Sequence, residues 1–365
     1  MQQGNTPQYW ENLAPIWRSD LDDRLTCCHI VDETPDVKSF FFRPSNPGLC
    51  RFQPGQFITL ELPINGETIY RSYTISSAPT RPDVLSITVK RKPDGVVSNW
   101  LHDNLQVGSH ICVSGPMGDF SCSQHPAERY LLLSGGVGIT PVMSMARALH
   151  DLGERQDTVF LHSARTPTDI VFQRELELMA FNQPSFRPIF LCENGAVHSD
   201  MPSGRLTLEI LQQVAPDLLT REVFCCGPTP YMAGVRTLLA AAGFNMQHYH
   251  EESFNFEAAA TAPQAEEKID DAAQAASTDG FTIEFTKSGK KIICKPDQFV
   301  LNASANSGLR LPVACSKGVC GTCKTKLISG QVDMKHGGGI RQREIDQGMF
   351  LPCCSKPLGD LVVEK

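Results

Sequence analysis

Nowhere in the 365 residues does an apolar run approach the roughly 18 consecutive positions that a membrane-crossing helix needs. The first twenty residues hold no basic segment followed by an apolar one and are broken by Pro7 and Pro15, so no secretory signal is expected and the cytoplasm is the expected location. There is no internal repeat. The lysines of the last quarter are dispersed and lack interleaved aromatics, which argues against nucleic acid as a partner. A disulfide framework is not expected either. In a long cytoplasmic chain, 14 cysteines point to metal ligands and buried thiols. What remains is a globular composition, 41% hydrophobic and 20% charged, long enough for two or three domains.

Residues 256–280 are rich in Ala, Gln and Glu and nearly devoid of large apolar side chains, the composition of a linker. Before them the pattern has two styles. Up to about residue 123, short alternating apolar runs such as 56–62 and 84–90 are punctuated by Pro, Gly and Asn, predicting an antiparallel β-barrel or sandwich. From about residue 130, apolar strands at 130–133, 158–162 and 223–226 are each followed by a helix, at 141–152, 170–180 and 231–242. That alternation predicts a parallel sheet with crossover helices. After the linker, 281–285 and 291–294 read as a hairpin opening a short, loop-rich domain. The boundaries expected are an N-terminal extension at 1–20, then 21–124, 125–255, the linker 256–280, and 281–365.

Charge divides along the same lines. Residues 1–255 carry 19 Lys and Arg against 27 Asp and Glu, whereas residues 281–365 carry 13 against 7. A basic tail on an acidic front suits electrostatic steering, either onto that front or onto an acidic partner.

Five cysteines fall in the last 51 residues. Cys315, Cys320 and Cys323 are spaced C-x₄-C-x₂-C, and a further cysteine follows at 353 or 354. This is the plant-type [2Fe–2S] spacing, with four thiolates completing two tetrahedral irons that already share sulfides. Zinc sites favour paired C-x₂-C knuckles instead. Gly318, Gly321 and Thr322 are small enough for backbone N–H groups to approach the sulfides.

Arg71-Ser72-Tyr73-Thr74 follows a strand opened by Pro54-Gly-Gln-Phe57. Arg71 suits a pyrophosphate, Tyr73 can stack on an isoalloxazine, and Thr74 can present a hydroxyl and an N–H near its N5. A second phosphate-directed element is Gly95-Val-Val97-Ser98, after a strand ending at Lys90. There a helix predicted over 98–105 would offer its N-terminus to an anion. Two such elements imply a dinucleotide, FAD rather than FMN.

The run 131–141 reads as a buried strand, a glycine turn (Gly135, Gly136, Gly138) and a helix starting near Pro141, with Thr140 available to a phosphate or as a cap. That is a nicotinamide dinucleotide setting. Cys226-Gly227-Pro228 ends another strand, where the nicotinamide would meet the flavin. Thr74 and Cys226 are therefore the residues expected at the reacting centre, with hydride transfer needing alignment rather than an acid or base. Arg165 would lie near the adenosine ribose. No second basic residue follows until Arg174, which favours NADH and leaves NADPH open. Phe254 would cover the flavin face or simply pack.

Together these residues resemble the ferredoxin–NAD(P)⁺ reductase superfamily with a C-terminal plant-type ferredoxin. The resemblance implies an antiparallel β-barrel FAD domain, an α/β NAD(P) domain and a β-grasp-like α+β [2Fe–2S] domain. Residues 348–357 resemble the closing segment of plant-type ferredoxins, a register that selects Cys353 as the fourth ligand. Within the superfamily the likeness is to the reductase subunits of glycine betaine monooxygenase systems. It implies an NADH-dependent oxidoreductase that passes electrons through FAD and the cluster to a Rieske-type oxygenase demethylating glycine betaine or a related quaternary ammonium compound. The NADH reductase of the hybrid-cluster protein shares the domain order and is the alternative. A redox sensor is a third reading. The linker would let the ferredoxin domain alternate between flavin and partner.

Overall fold

The computed structural model describes residues 14–153, 156–199, 201–253, 280–309, 311, 318 and 320–365. They fall into two compact units, one holding β1 to β11 apart from residues 69–72, the other holding the C-terminal residues. The linker, apart from Gly280, lies outside the described residues, as do Cys315 and Phe254.

The first part is β1 (Arg24–Thr34), β2 (Val37–Pro44), β3 (Phe57–Ile64), β4 (Glu67–Thr74), β5 (Leu85–Lys90), helix α1 (Val96–Asn104) and β6 (His110–Met117). The strands form one sheet in the order β4-β3-β6-β1-β2-β5. Ile75, just past β4, bridges Ile87 of β5, so the two edge strands meet and the sheet closes on itself. Closure removes the unpaired edges that an open sheet would present. Alternation puts Phe40, Phe42, Ile58, Leu60, Leu85 and Ile87 inside, each with no exposed surface.

The second part alternates β7 (Arg129–Gly135), α2 (Ile139–Asp151), β8 (Asp157–Ala164), α3 (Gln173–Asn182), β9 (Phe186–Cys192), α4 (Leu208–Val214), β10 (Glu222–Cys226), α5 (Thr229–Ala241) and β11 (Tyr249–Glu252). All five strands are parallel, in the order β11-β10-β7-β8-β9. Two apolar layers cover the sheet. One gathers Leu132, Phe160, Met143 and Phe190, and the other Leu131, Leu161, Val223 and Leu239.

The C-terminal unit is β12 (Phe281–Phe285), β13 (Lys290–Cys294), α6 (Val300–Asn306), β14 (Thr325–Ser329), β15 (Val332–Met334), α7 (Gln342–Asp346), β16 (Met349–Phe350), β17 (Ser355–Pro357) and β18 (Leu361–Glu364). The expected hairpin is there, antiparallel from Phe281 opposite Cys294 to Phe285 opposite Lys290. β18 then runs parallel to β12 in a mixed sheet ordered β13-β12-β18-β14-β16, the β-grasp arrangement. Its core includes Ile283, Phe285, Val300, Phe350 and Val363.

Candidate functional site

The parallel sheet reverses its direction of growth between β7 and β10. The chain builds outward through β8 and β9, then returns to add β10 and β11 on the other side. Ligands of such sheets lie outside the carboxyl ends of the strands at this switch point. Gly135 ends β7, Cys226 ends β10, and the register sets Cys226 opposite Ser134.

The glycines of the turn have different tasks. A Cβ on Gly138 would stand 2.3 Å from the Cys226 carbonyl oxygen and 2.6 Å from the Gly227 Cα, so the start of α2 seats directly on the end of β10. Gly136 has φ +54°, and no atom lies within 4 Å of where its Cβ would be. That stretch of backbone faces open space, where a phosphate can approach. The helix begins at Ile139 rather than near residue 141, because proline is tolerated in a first turn whose N–H groups have no intrahelical partner. Thr140 neither caps the helix nor points outward. It is buried, and its hydroxyl donates to the Val137 carbonyl at 3.1 Å.

Cys226 is buried, and burial pushes its thiol well above the ordinary cysteine range, so it is an uncharged side chain. Beside it in register, at the end of β11, stands Glu252. Its Oε2 is out of contact with solvent and has no hydrogen-bond partner among the described residues, and burial pushes the carboxyl up to about 8. His162, near the end of β8, shares a 2.9 Å hydrogen bond between its Nδ1 and Ser134 Oγ. Its buried Nε2 has no partner among the described residues, and burial holds the imidazole down at about 4. Orphaned polar atoms of this kind are rare in a finished core and fit a polar ligand at the switch point. Glu252 stands in no motif of the sequence. Its isolation depends on strand pairing that no local motif records. Arg165 follows β8 and is exposed.

Arg71, Ser72, Tyr73 and Thr74 are the last four residues of β4, and Thr74 is buried. The chain then runs into α2's territory. Ser144 Oγ donates to the Ser77 carbonyl at 2.7 Å, and Arg147 donates to the Ser76 carbonyl while forking onto Glu175 at 2.8 and 2.6 Å. One helix thus follows the nucleotide turn and holds the segment that succeeds Arg71–Thr74, which end a strand rather than form a turn after one. Behind that segment the hydroxyls of Ser39, Thr88, Ser76 and Ser86 form a buried chain with links of 2.8 to 2.9 Å.

Helix α1 starts two residues before the expected 98. Gly95 is its N-cap, with extended backbone and no side-chain cap, so the first-turn amides have no side chain bonded across them. Ser98 sits inside the first turn instead, accepting from the Lys92 N–H at 3.2 Å and donating to the Gly95 carbonyl at 3.3 Å. Val97 beside it is buried. An uncapped N-terminus of nine helical residues fits an anion. Lys90 is engaged by the β1–β2 turn, in a 2.8 Å ion pair with Asp36.

In the C-terminal unit Cys320, Cys323 and Cys353 are all buried. Cys323 Sγ and Cys353 Sγ stand 3.2 Å apart, within about half an ångström of the roughly 3.8 Å that two metal–sulfur bonds of about 2.3 Å subtend at a tetrahedral ion. The Cys354 thiol donates to the Leu351 carbonyl at 3.6 Å. Gly318 has φ +70°, and a Cβ there would meet Cys354 Sγ at 2.6 Å and His336 Cα at 3.0 Å. So Cys354 and the segment that includes His336 occupy the space this glycine leaves. Each cysteine bound to iron would need to shed its proton, and the Cys353 neighbour together with burial pushes the Cys323 thiol upward. Three buried thiols are soft donors, and their chemistry fits an iron–sulfur cluster.

Comparison with known proteins separates the same three parts. Residues 26–122 match the oxidoreductase FAD-binding domain, 132–237 the oxidoreductase NAD-binding domain, and 283–358 the 2Fe-2S iron-sulfur cluster binding domain. The chain is 48% identical over 347 residues to the glycine betaine monooxygenase reductase subunit of Chromohalobacter salexigens, covering 93% of this chain and 94% of that one. The chain belongs to this reductase family. It is an oxidoreductase with FAD-, NAD- and [2Fe–2S]-binding domains, as its motifs led us to expect. The family also reaches the NADH oxidoreductase HCR of Escherichia coli, 32% identical over 344 residues, with 93% of this chain and 97% of that one covered. Among solved structures, phthalate dioxygenase reductase shares the fold, with a TM-score of 0.58 at 24% identity over 96% of this chain and all of that one. No helix among the described residues is long and apolar enough to cross a membrane.

Proposed function

We propose that this chain is the reductase component of an oxygenase system. It draws electrons from NADH and delivers them one at a time to a Rieske-type oxygenase that demethylates glycine betaine or a related quaternary ammonium compound. The observation that carries the reading is identity sustained over nearly the whole length, 48% with a glycine betaine monooxygenase reductase subunit against 32% with HCR.

In this reading Arg71, Ser72, Tyr73 and Thr74, with Lys90, Gly95, Val97 and Ser98, form the FAD seat. Gly135, Gly136, Gly138, Arg165, Cys226, Gly227 and Pro228 hold the nicotinamide dinucleotide. Cys315, Cys320, Cys323 and Cys353 ligate the cluster. When bound, the flavin and the cluster supply the conversion of a two-electron donor into one-electron deliveries. The protein's part is positional. Gly138 lets the nucleotide turn close onto β10, α2 fixes the segment after β4, and Thr74 and an uncharged Cys226 line the meeting place of the two rings without presenting a competing base.

The test is NADH oxidation by the reconstituted protein with a purified glycine betaine oxygenase and betaine. Formaldehyde released in step with NADH loss is the expected result. Brisk cytochrome c reduction without formaldehyde would contradict the betaine partner and point to the hybrid-cluster protein or another oxygenase.

A further inference from the structure

Away from the switch point, one group of side chains has ligand chemistry that the redox reading leaves unused. His125 lies on the loop that joins the barrel to the parallel sheet, Glu222 opens β10, and His250 stands in β11. One nitrogen from each imidazole and one carboxylate oxygen all lie within 4.8 Å of one another. His250 Nε2 is 2.6 Å from Glu222 Oε1, and His125 Nδ1 is 3.9 Å from the same oxygen. We propose that His125, Glu222 and His250 form a zinc site that ties the interdomain loop to the edge of the nucleotide sheet.

Three observations support it. The donors are two imidazoles and one carboxylate, a set zinc takes with water completing the tetrahedron. The His250 ring is held by packing, its centroid 4.8 Å from that of Phe224 and 3.7 Å from that of His125, and a turn of the more exposed His125 ring out of this stack would bring an in-plane nitrogen of each imidazole to one ion. The carboxylate is oriented as well. His248 Nδ1 lies 2.9 Å from Glu222 Oε2, leaving Oε1 toward the other two imidazoles. Ligating carboxylates are commonly fixed by such an outer hydrogen bond. Glu222 and His250 are mostly buried, with 12% and 17% of their side-chain surface exposed, while His125 at 39% leaves a way in.

The site is at the amino end of β10. Cys226 lies four strand steps beyond Glu222, about 13 Å. Bound zinc would therefore act on the junction between the two domains rather than on the reacting centre. Binding to the folded state alone raises its melting temperature.

The experiment uses the full-length protein with flavin and cluster loaded, freed of loose metal and dialysed against micromolar Zn²⁺. Zinc is then counted alongside cluster iron. One zinc per chain is expected in the wild type, none in His125→Gln or His250→Gln, and a higher melting temperature with zinc in the wild type only. NADH oxidation should be the same in all three. The metal-free melting curves of the variants show whether they fold, and each variant alone is sufficient for the comparison. No zinc in the wild type, or one zinc retained when either histidine is replaced, would overturn the site.

Discussion

His162 shows how a single buried group sets a pH limit. Its imidazole is fully buried and held down at about 4, whereas in the unfolded chain it titrates near its ordinary 6.5. Between those values the unfolded state binds a proton that the folded state refuses, so stability falls as pH falls through this window. The full effect amounts to about 3 kcal/mol. In His162→Gln that loss should disappear. The stability of the wild type relative to the variant should drop by about this amount from pH 7 to pH 4, as read by denaturant titration. A difference independent of pH would show that His162 is not held neutral. At this scale the sequence speaks where chemistry is local, and the C-x₄-C-x₂-C spacing and the Arg71–Thr74 run are motifs of a few neighbours. It was a poor guide to Glu252, to the His125–Glu222–His250 group and to the hydroxyl chain from Ser39 to Ser86, because each is assembled by strand pairing across tens of residues.

At the scale of the element, periodicity predicted the parallel strands, the hairpin and the barrel style, while the four helix starts slipped by two or three residues, 170 becoming 173 and 231 becoming 229 among them. The slips at 98 and 141 have a cause. Gly95 caps α1 without a side chain, so no Ser or Asp marks the boundary, and Pro141 reads as a start although it occupies the third helical position. The strand–turn–helix unit at 129–151 yields its own test. In Gly138→Ala the new Cβ meets the Cys226 carbonyl, so α2 and β10 must part. A lower melting temperature and a loss of about 10²-fold in kcat/KM for NADH are expected, since misplacement of this order costs that much. Gly136→Ala should cost only about 1 kcal/mol for its left-handed φ. Its Cβ stands where the cofactor's pyrophosphate is expected, so KM should rise while kcat holds. A Gly138→Ala protein as stable and active as the wild type would contradict the close seating of α2 on β10.

For the molecule as a whole, a two-electron entry and a one-electron exit are carried on separate domains, and the basic C-terminal residues are joined to an acidic front. The account stands or falls on electrons arriving at Cys315, Cys320, Cys323 and Cys353. The direct measurement is an anaerobic titration with NADH, followed by visible absorbance for the flavin and by electron paramagnetic resonance for a reduced cluster. In the wild type the flavin absorbance should bleach as the resonance of a reduced [2Fe–2S] cluster grows. In Cys353→Ser the bleaching should persist while iron content and the resonance are lost. Bleaching without any cluster signal in iron-loaded wild-type protein, or a signal surviving in Cys353→Ser, would contradict the proposed route.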